Sequence, residues 1–473
     1  MSDLHYLPAT QALRQFRARE LSPVELVTAV IERAEAVEPV INAFAETFFD
    51  QAVEQARAAE ARYAGKDGQP RPLDGLPVAV KEEAKIAGHH NTLGSLPLRE
   101  VVAEKTSAFV QRIIDAGGIV HARTTTPEFS CAPVTWSRLW GVTRNPWQAE
   151  YSPGGSSGGS AASLAAGSAA LATGSDIGGS IRIPASFCGV MGFKPPYGRV
   201  PGMEIFNLDH YCHEGPLART VDDCALLENV IAGPHASDIA SLRPKLEIPE
   251  QQAGVRGMRF AVSYDLGCYN VHEEVVANLR ASVQKLRDAG ATVEEVSLPW
   301  TIADLSRAAD IHFGMIFGPS IKELYDRSAD LLTTYARQLY EDGQRIHKDE
   351  FIEGLELEGR IYAPLGELLE RFDALLCPTF AVPALPAEWD SDEPFVVNGR
   401  VMEDWVAGLM TVPFNIASRC PVMSVPSGRA ATGVPTGMSI VGKTYDDVTV
   451  FRIAAAFEAL QPWLHTPEHR PAI

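Results

Sequence analysis

The sequence predicts an α/β protein: one large domain built around a mixed, mainly parallel twisted sheet with helices on both faces. Three observations predict it. Short apolar runs with strand character alternate with helix-periodic segments, the pattern of a layered sheet. Glycine and proline punctuate the junctions between them. The 473 residues are 46% hydrophobic and hold no low-complexity tract, enough for one continuous core over that length.

The elements follow in order. Ser22-Pro23 places an N-cap and a first-turn proline before VELVTAVIERAEAVEP, whose apolar residues recur at helical spacing. Residues 44–64 repeat the helical pattern with alanine-rich turns. Residues 76–80 then form a short apolar strand that ends at Lys81. A helix stops at Gly117-Gly118 and a strand runs on to Arg123. From 152 to 196 the chain is rich in Gly, Ser and Ala and carries few charges. A flexible linker is rejected there, because 161–172 is a run of strong helix formers between apolar flanks. A polar excursion follows Gly233 to about Arg256, then strands at 258–264 and 292–298 flank a helix over 271–289. Residues 304–372 are mostly helical, 438–441 a strand and 448–460 a closing helix, with no internal repeat.

Charge and cysteine usage exclude several functions. Sixty acidic against 41 basic residues give a net charge of −19, a surface that repels phosphate backbones and anionic membranes. No nucleic acid and no membrane is expected as a partner. Seven scattered cysteines, odd in number and without a C-x-x-C pair, fit reduced thiols. With no signal peptide at the N-terminus and no apolar run approaching ~18 residues, the expected location is the cytoplasm.

The chemistry concentrates in SPGGSSGGSAASLAAGSAALATGSDIGGSIRIPA. Two glycine-rich loops bracket one helical stretch and each presents a serine, Ser156 and Ser180. Gly178 and Gly179 free the backbone to aim N–H groups at one point, which suits a developing oxyanion. Serine needs a base. This region has no histidine, and no spacing commends His89, His90, His121, His210 or His213. A lysine buried and uncharged can serve instead, and Lys81 ends the apolar strand LPVAVK.

These residues resemble the amidase signature family. Lys81 in PLDGLPVAVKE, Ser156 in GGSSGG and Ser180 in DIGGSIR stand where that family has its catalytic lysine, its serine reached through a cis peptide bond and its nucleophile. TTTPEFS at 124–130, TRNPW at 143–147, GPLARTVDD at 215–223 and GVPTGMSIVG at 433–442 extend the likeness over nearly the whole chain. The resemblance implies hydrolysis of a carboxylic amide to an acid and ammonia or an amine. Neutral Lys81 takes a proton from Ser156, which relays it from Ser180 as that oxygen attacks. The N–H groups of Ile177, Gly178, Gly179 and Ser180 hold the oxyanion, and water clears the acyl-enzyme. Ser157, Ser175, Asp176 and Arg182 support the triad from behind, or cap the loops. The departures are Glu82-Glu83 after the lysine, where the family shows Asp-Asn, Thr125 for a frequent Asn and Ser439 for a frequent Gln. The two acids are expected to point outward or to make a paired contact.

A single amidase domain over 1–473 is expected, with a catalytic core at 65–225 and pocket-forming, wrapping segments at 226–473. Phe313, Met315 and Phe317 are candidates for an apolar pocket, or for plain helix core. No cofactor and no metal are expected, since no spaced His/Cys/Asp set stands out. A small-molecule amide is the expected partner, with a homodimer the assembly to look for. Three readings compete. G-x-S-x-G occurs around Ser156 and Ser157, but Glu150-Tyr151-Ser152-Pro153 is not the strand a nucleophile elbow needs. A non-catalytic relative would have lost Lys81, Ser156 or Ser180. The glutamine-hydrolysing component of a tRNA-dependent amidotransferase shares the triad; Glu358 falls near where such proteins hold a carboxylate-binding arginine.

Overall fold

Eleven strands form one sheet in the computed structural model, which describes residues 3–250, 254–402, 404–464 and 466–473. They are β1 (Phe44–Thr47), β2 (Pro77–Lys81), β3 (Ile119–Thr124), β4 (Leu171–Asp176), β5 (Met191–Lys194), β6 (His213–Ala218), β7 (Arg259–Val262), β8 (Thr292–Glu295), β9 (Ala374–Pro378), β10 (Val422–Arg429) and β11 (Pro435–Val441). Their spatial order is β1-β3-β2-β4-β6-β5-β10-β11-β9-β7-β8. The sheet is mixed, as the sequence predicts. Its parallel pairings stand in two blocks, β3-β2-β4 and β9-β7-β8, and the run joining them is antiparallel.

The helices that matter for the site are α1 (Pro23–Ile41), α2 (Phe49–Tyr63), α3 (Ala108–Asp115), α4 (Gly158–Ala166), α5 (Arg182–Cys188), α6 (Glu273–Asp288), α7 (Ile302–Ser328), α8 (Phe351–Arg371) and α9 (Asp447–Leu460). Ser22 caps α1: its hydroxyl accepts from Val24 N at 3.0 Å, and Glu25 accepts from Ser22 N at 2.8 Å. Such a box is worth about 1 kcal/mol. The segment 44–64 is not helical throughout; its first four residues are β1, paired antiparallel with β3, and α2 begins after them. The alanine-rich run 161–172 also splits. Gly167, at φ +82°, ends α4 in the left-handed conformation that glycine accepts freely, and Leu171 and Ala172 open β4. Residues 233–250 and 254–256 carry no helix or extended strand, as the polar excursion predicts, while 251–253 lie outside the described residues.

Helices cover both faces. On one, Val78, Val80 and Leu171 pack with Phe109 of α3, Leu279 of α6 and Phe451 of α9. On the other, Ala79, Ala122 and Ala172 meet Ala161, Leu164 and Ala165 of α4. The period-2 alternation of β2 therefore sends large side chains one way and small ones the other. The small face lets α4, itself GGSAASLAA, lie close to the sheet. A third cluster joins α5, α7 and α8 around Phe187, Phe313 and Phe380. All seven cysteines are free. Among the described residues no helix is long and apolar enough to cross a membrane.

Candidate active site

Because β2 and β4 are parallel neighbours, in register at Val78↔Leu171 and Ala79↔Ala172, their C-terminal ends emerge side by side. Lys81 closes β2, and Ser175 and Asp176 close β4. Lys81 shares its strand face with Ala79, so it points to the side covered by α4. The turn entering α4 carries Ser156 and Ser157, and the Gly155–Ser156 peptide is cis. A Cβ on Gly155 would lie 2.4 Å from the Val134 carbonyl oxygen and 2.5 Å from that of Ala132, so only glycine fits that turn.

Lys81 is 2% exposed. Its Nζ donates to Ser156 Oγ at 2.7 Å and to Ser175 Oγ at 2.8 Å, and lies 2.8 Å from Glu83 Oε2. Ser175 Oγ in turn donates to Glu83 at 2.6 Å. Of the two acids after the lysine, Glu83 thus makes the paired contact. Glu82 turns away and accepts from Thr92 N, and burial pushes it up to about 7. Burial would also raise Glu83, but the Lys81 charge and the bonds from Lys81 and Ser175 bring it below the ordinary value. The Lys81 amine thus meets three acceptors, Ser156, Ser175 and the Glu83 carboxylate. Beside them, burial and the Glu83 charge hold Glu214, cross-strand from Ser175, well above the ordinary carboxyl value.

Asp176 organises the turn that carries Ser180. It accepts from Gly179 N at 2.9 Å and Ile181 N at 3.2 Å, and pairs with Arg182 through Nε at 2.9 Å and Nη2 at 2.8 Å. Arg182 also donates to Thr411 O at 2.9 Å and Asn415 Oδ1 at 2.6 Å. Burial would raise Asp176, but the Arg182 charge and hydrogen bonds from Arg182 and Asn415 hold it far below its ordinary value. Gly179 has φ +131°, and a Cβ there would sit 2.2 Å from Thr411 Oγ1. Of the four N–H groups expected at the oxyanion, Gly179's is therefore spent on Asp176. Among the described residues those of Ile177, Gly178 and Ser180 make no hydrogen bond.

Ser157 ties the two loops together. Its N–H donates to Ser180 O at 3.1 Å and its hydroxyl to Ser175 O at 3.3 Å. The Ser180 hydroxyl makes no hydrogen bond to a described residue, Ser156 included, and borders a cavity of about 90 Å³. Ile177, Gly178, Ile183, Phe313 and Phe317 line that cavity. It adjoins a second of about 280 Å³, sharing Cys131, Ala132, Pro133, Leu339, Trp405 and Leu409 with it. Phe313 and Phe317 lie one turn apart on α7 and face the cavity together. Met315 lies half a turn away and is not in the lining, which corrects its assignment. A larger cavity of about 690 Å³, among Leu4, Arg14 and Glu458, contains none of these residues.

Sequence reasoning missed Thr411, Asn415, Trp405 and Leu409, which reach the site only through the tertiary fold and carry no local signal. Thr125 bonds Thr143 at 2.7 Å and Ser439 bonds Thr379 at 2.9 Å; both are buried and outside the cavity. The histidines that no spacing commends also have other work. His121 bonds Val78 O and Ser168 O, and His213, 3.0 Å from Asp176 O, is pushed down to about 3 by burial and the Lys194 charge.

The amidase family profile matches residues 25–451. The chain is 31% identical to an acylamidase of Rhodococcus erythropolis, covering 98% of this chain and 97% of that one. It is 33% identical, over 98% of each protein, to the A component of the glutamyl-tRNA(Gln) amidotransferase of Roseiflexus sp. (strain RS-1). Among solved structures it resembles a bacterial aryl acylamidase of the amidase signature enzymes (TM-score 0.90, 29% identity, 98% of each chain). It also resembles 6-aminohexanoate cyclic dimer hydrolase (TM-score 0.86, 27% identity, 100% of this chain and 99% of that one). A match of that length, with relatives above 30% identity along almost all of the chain, places it: the chain belongs to the amidase signature family of amide hydrolases.

Proposed function

We propose that this chain hydrolyses amides with an apolar, ring-sized acyl or leaving group, through an acyl-enzyme on Ser180. The observation that carries the reading is the buried Lys81–Ser156 hydrogen bond of 2.7 Å beside a Ser180 hydroxyl left free at the floor of an apolar cavity. The resting Lys81–Glu83 ion pair gives the ammonium a place to leave its third proton. The resulting amine takes the Ser156 proton while Ser156 takes that of Ser180, whose oxygen attacks the amide carbon. The Ile177, Gly178 and Ser180 N–H groups support the oxyanion, each such donor being worth roughly 3 kcal/mol of barrier. The proton returns through Ser156 to the leaving nitrogen, and water then releases the acid. Residues 65–225 supply this machinery and one side of the cavity, and 226–473 supply the other, with Phe313, Phe317, Leu339, Trp405 and Leu409. A reducing, cytoplasmic setting is part of the reading, supported by the seven free thiols.

The cavity also weighs against free glutamine as the substrate. Its zwitterionic head needs a cation for the carboxylate, and neither adjoining cavity is lined by a lysine or arginine among the described residues. Glu358 is an acid and lies outside both linings. About 280 Å³ exceeds the roughly 150 Å³ cavity that holds a benzene ring. The test is a panel of glutamine, short aliphatic amides, anilides and fatty amides, with released ammonia or amine quantified. Anilides or other bulky amides turning over faster than glutamine are expected; glutamine as the preferred substrate would overturn the reading.

A further inference from the structure

Beyond the triad, one cluster of ligating side chains has no part in the chemistry above. His210 stands in the loop before β6, His312 on α7 and Glu358 on α8, far apart in sequence and together in the fold. His210 Nε2 is 3.1 Å from Glu358 Oε2, and His312 Nδ1 is 3.9 Å from Glu358 Oε1. One ligating atom from each residue lies within 4.8 Å of the others. Bonds of about 2.0–2.1 Å to a tetrahedral ion put ligand atoms roughly 3.3 Å apart, so small side-chain movements close the set. We propose that His210, His312 and Glu358 bind one divalent transition-metal ion of the zinc class.

Two further observations point the same way. Asp209, its side chain 2% exposed, accepts from His312 Nε2 at 2.7 Å. That bond occupies Nε2 and leaves Nδ1 on the Glu358 side, 3.9 Å from Oε1. A carboxylate behind a ligating imidazole is the arrangement that orients histidines on metals. The Tyr211 ring holds His312 from one side, stacked at 3.6 Å, and its hydroxyl donates to Glu358 Oε1 at 3.0 Å. The second observation is that, among the described residues, neither carboxylate is paired with a lysine or arginine, so the two acids have only histidines against them. Two imidazoles and one carboxylate suit Zn²⁺ or Co²⁺ rather than Mg²⁺ or Ca²⁺, which take oxygen ligands.

The site is separate from the acyl chemistry but close to it. His312 precedes Phe313 of the cavity wall, and Tyr211 O accepts from Asn415, which also bonds Asp176. A bound ion would therefore pin the 209–211 loop, α7 and α8 around the substrate cavity.

The test uses the full chain stripped with a chelator and titrated with Zn²⁺ by calorimetry and with Co²⁺ by its visible d–d absorption. One ion per chain and a metal-dependent rise in Tm are expected for wild type and for Ser180→Ala. Glu358→Gln and His312→Ala are expected to lose binding, and Asp209→Asn to weaken it 10–100-fold. Melting of the metal-free variants shows whether each folds. Should His312→Ala fail to fold, His210→Gln at the more exposed ligand takes its place. No binding by wild type, or wild-type binding in the folded ligand variants, would overturn the proposal.

Discussion

Glu83 holds Lys81 at 2.8 Å and accepts from Ser175 at 2.6 Å, so one carboxylate ties the lysine to the serine beside it. Glu83→Gln keeps the shape and removes the charge that favours the ammonium. Its kcat should fall roughly 10²-fold as the proton's destination is lost. A kcat left unchanged in Glu83→Gln would show that Glu83 takes no part in the proton's path. Arg182 makes a different residue-scale prediction. Its pair with Asp176 is wholly buried, and Arg182→Met leaves an unpaired carboxylate behind, costing about 3–5 kcal/mol by denaturant unfolding. The sign with pH follows from the depressed Asp176: the pair's stabilisation is present above its ordinary value of 3.8 and is lost on acidification below it. Wild type should therefore lose its advantage over Arg182→Met in acid.

At the scale of elements, α7 presents Phe313 and Phe317 to the cavity, so Phe317→Ala should lower kcat/KM on bulky amides at least tenfold and spare small ones. An equal loss on both would mean that Phe317 serves packing alone. The wall is only half legible in the sequence. An aromatic pair four residues apart announces a shared helix face, but Met315 between them is equally apolar and faces elsewhere. β2 is legible through its apolar run, and α1 through its capping serine. β1 is not: its four residues FAET run straight into the alanine-rich α2, and only pairing with β3 makes them a strand. The split of 161–172 is marked by Gly167, a residue able to take φ +82°, which the run of alanines obscures. Lys81, Ser156 and Ser180 are readable because strand end and glycine loops are local features. Thr411 and Asn415 are not, because their work is to brace Asp176 and Arg182 across more than two hundred residues of chain.

The whole molecule also buries carboxyl groups outside the proposed proton relay, and these contribute to its response to pH. Burial raises Glu458 on α9 from 4.5 to about 8; its Oε2 accepts from Val221 N at 3.2 Å and its Oε1 has no partner. Burial also raises Glu38 and Glu82 to about 7. A raised acid binds more protons folded than unfolded, so its stabilisation is complete below pH 4.5 and is lost as pH rises towards 8. Glu458→Gln should thus melt above wild type at pH 8 and lose that lead at pH 5. The difference is a few kcal/mol at most, at about 1.4 kcal/mol per pH unit. Thermal melts at the two pH values check it; a lead of the same size at both would remove Glu458 from the account.

The sheet, the glycine turns and the buried pair at Asp176 leave the Ser180 hydroxyl free beside an apolar cavity, and the proposed reading makes it the nucleophile, with Ser156 and Lys81 as its proton relay. Intact-mass and peptide mapping after a rapid acid quench with a slowly deacylating anilide test that most directly. An acyl increment on the peptide carrying Ser180, absent from Ser180→Ala together with turnover and without change in Tm, is the predicted result. An adduct on another residue, or turnover surviving in Ser180→Ala, would contradict it.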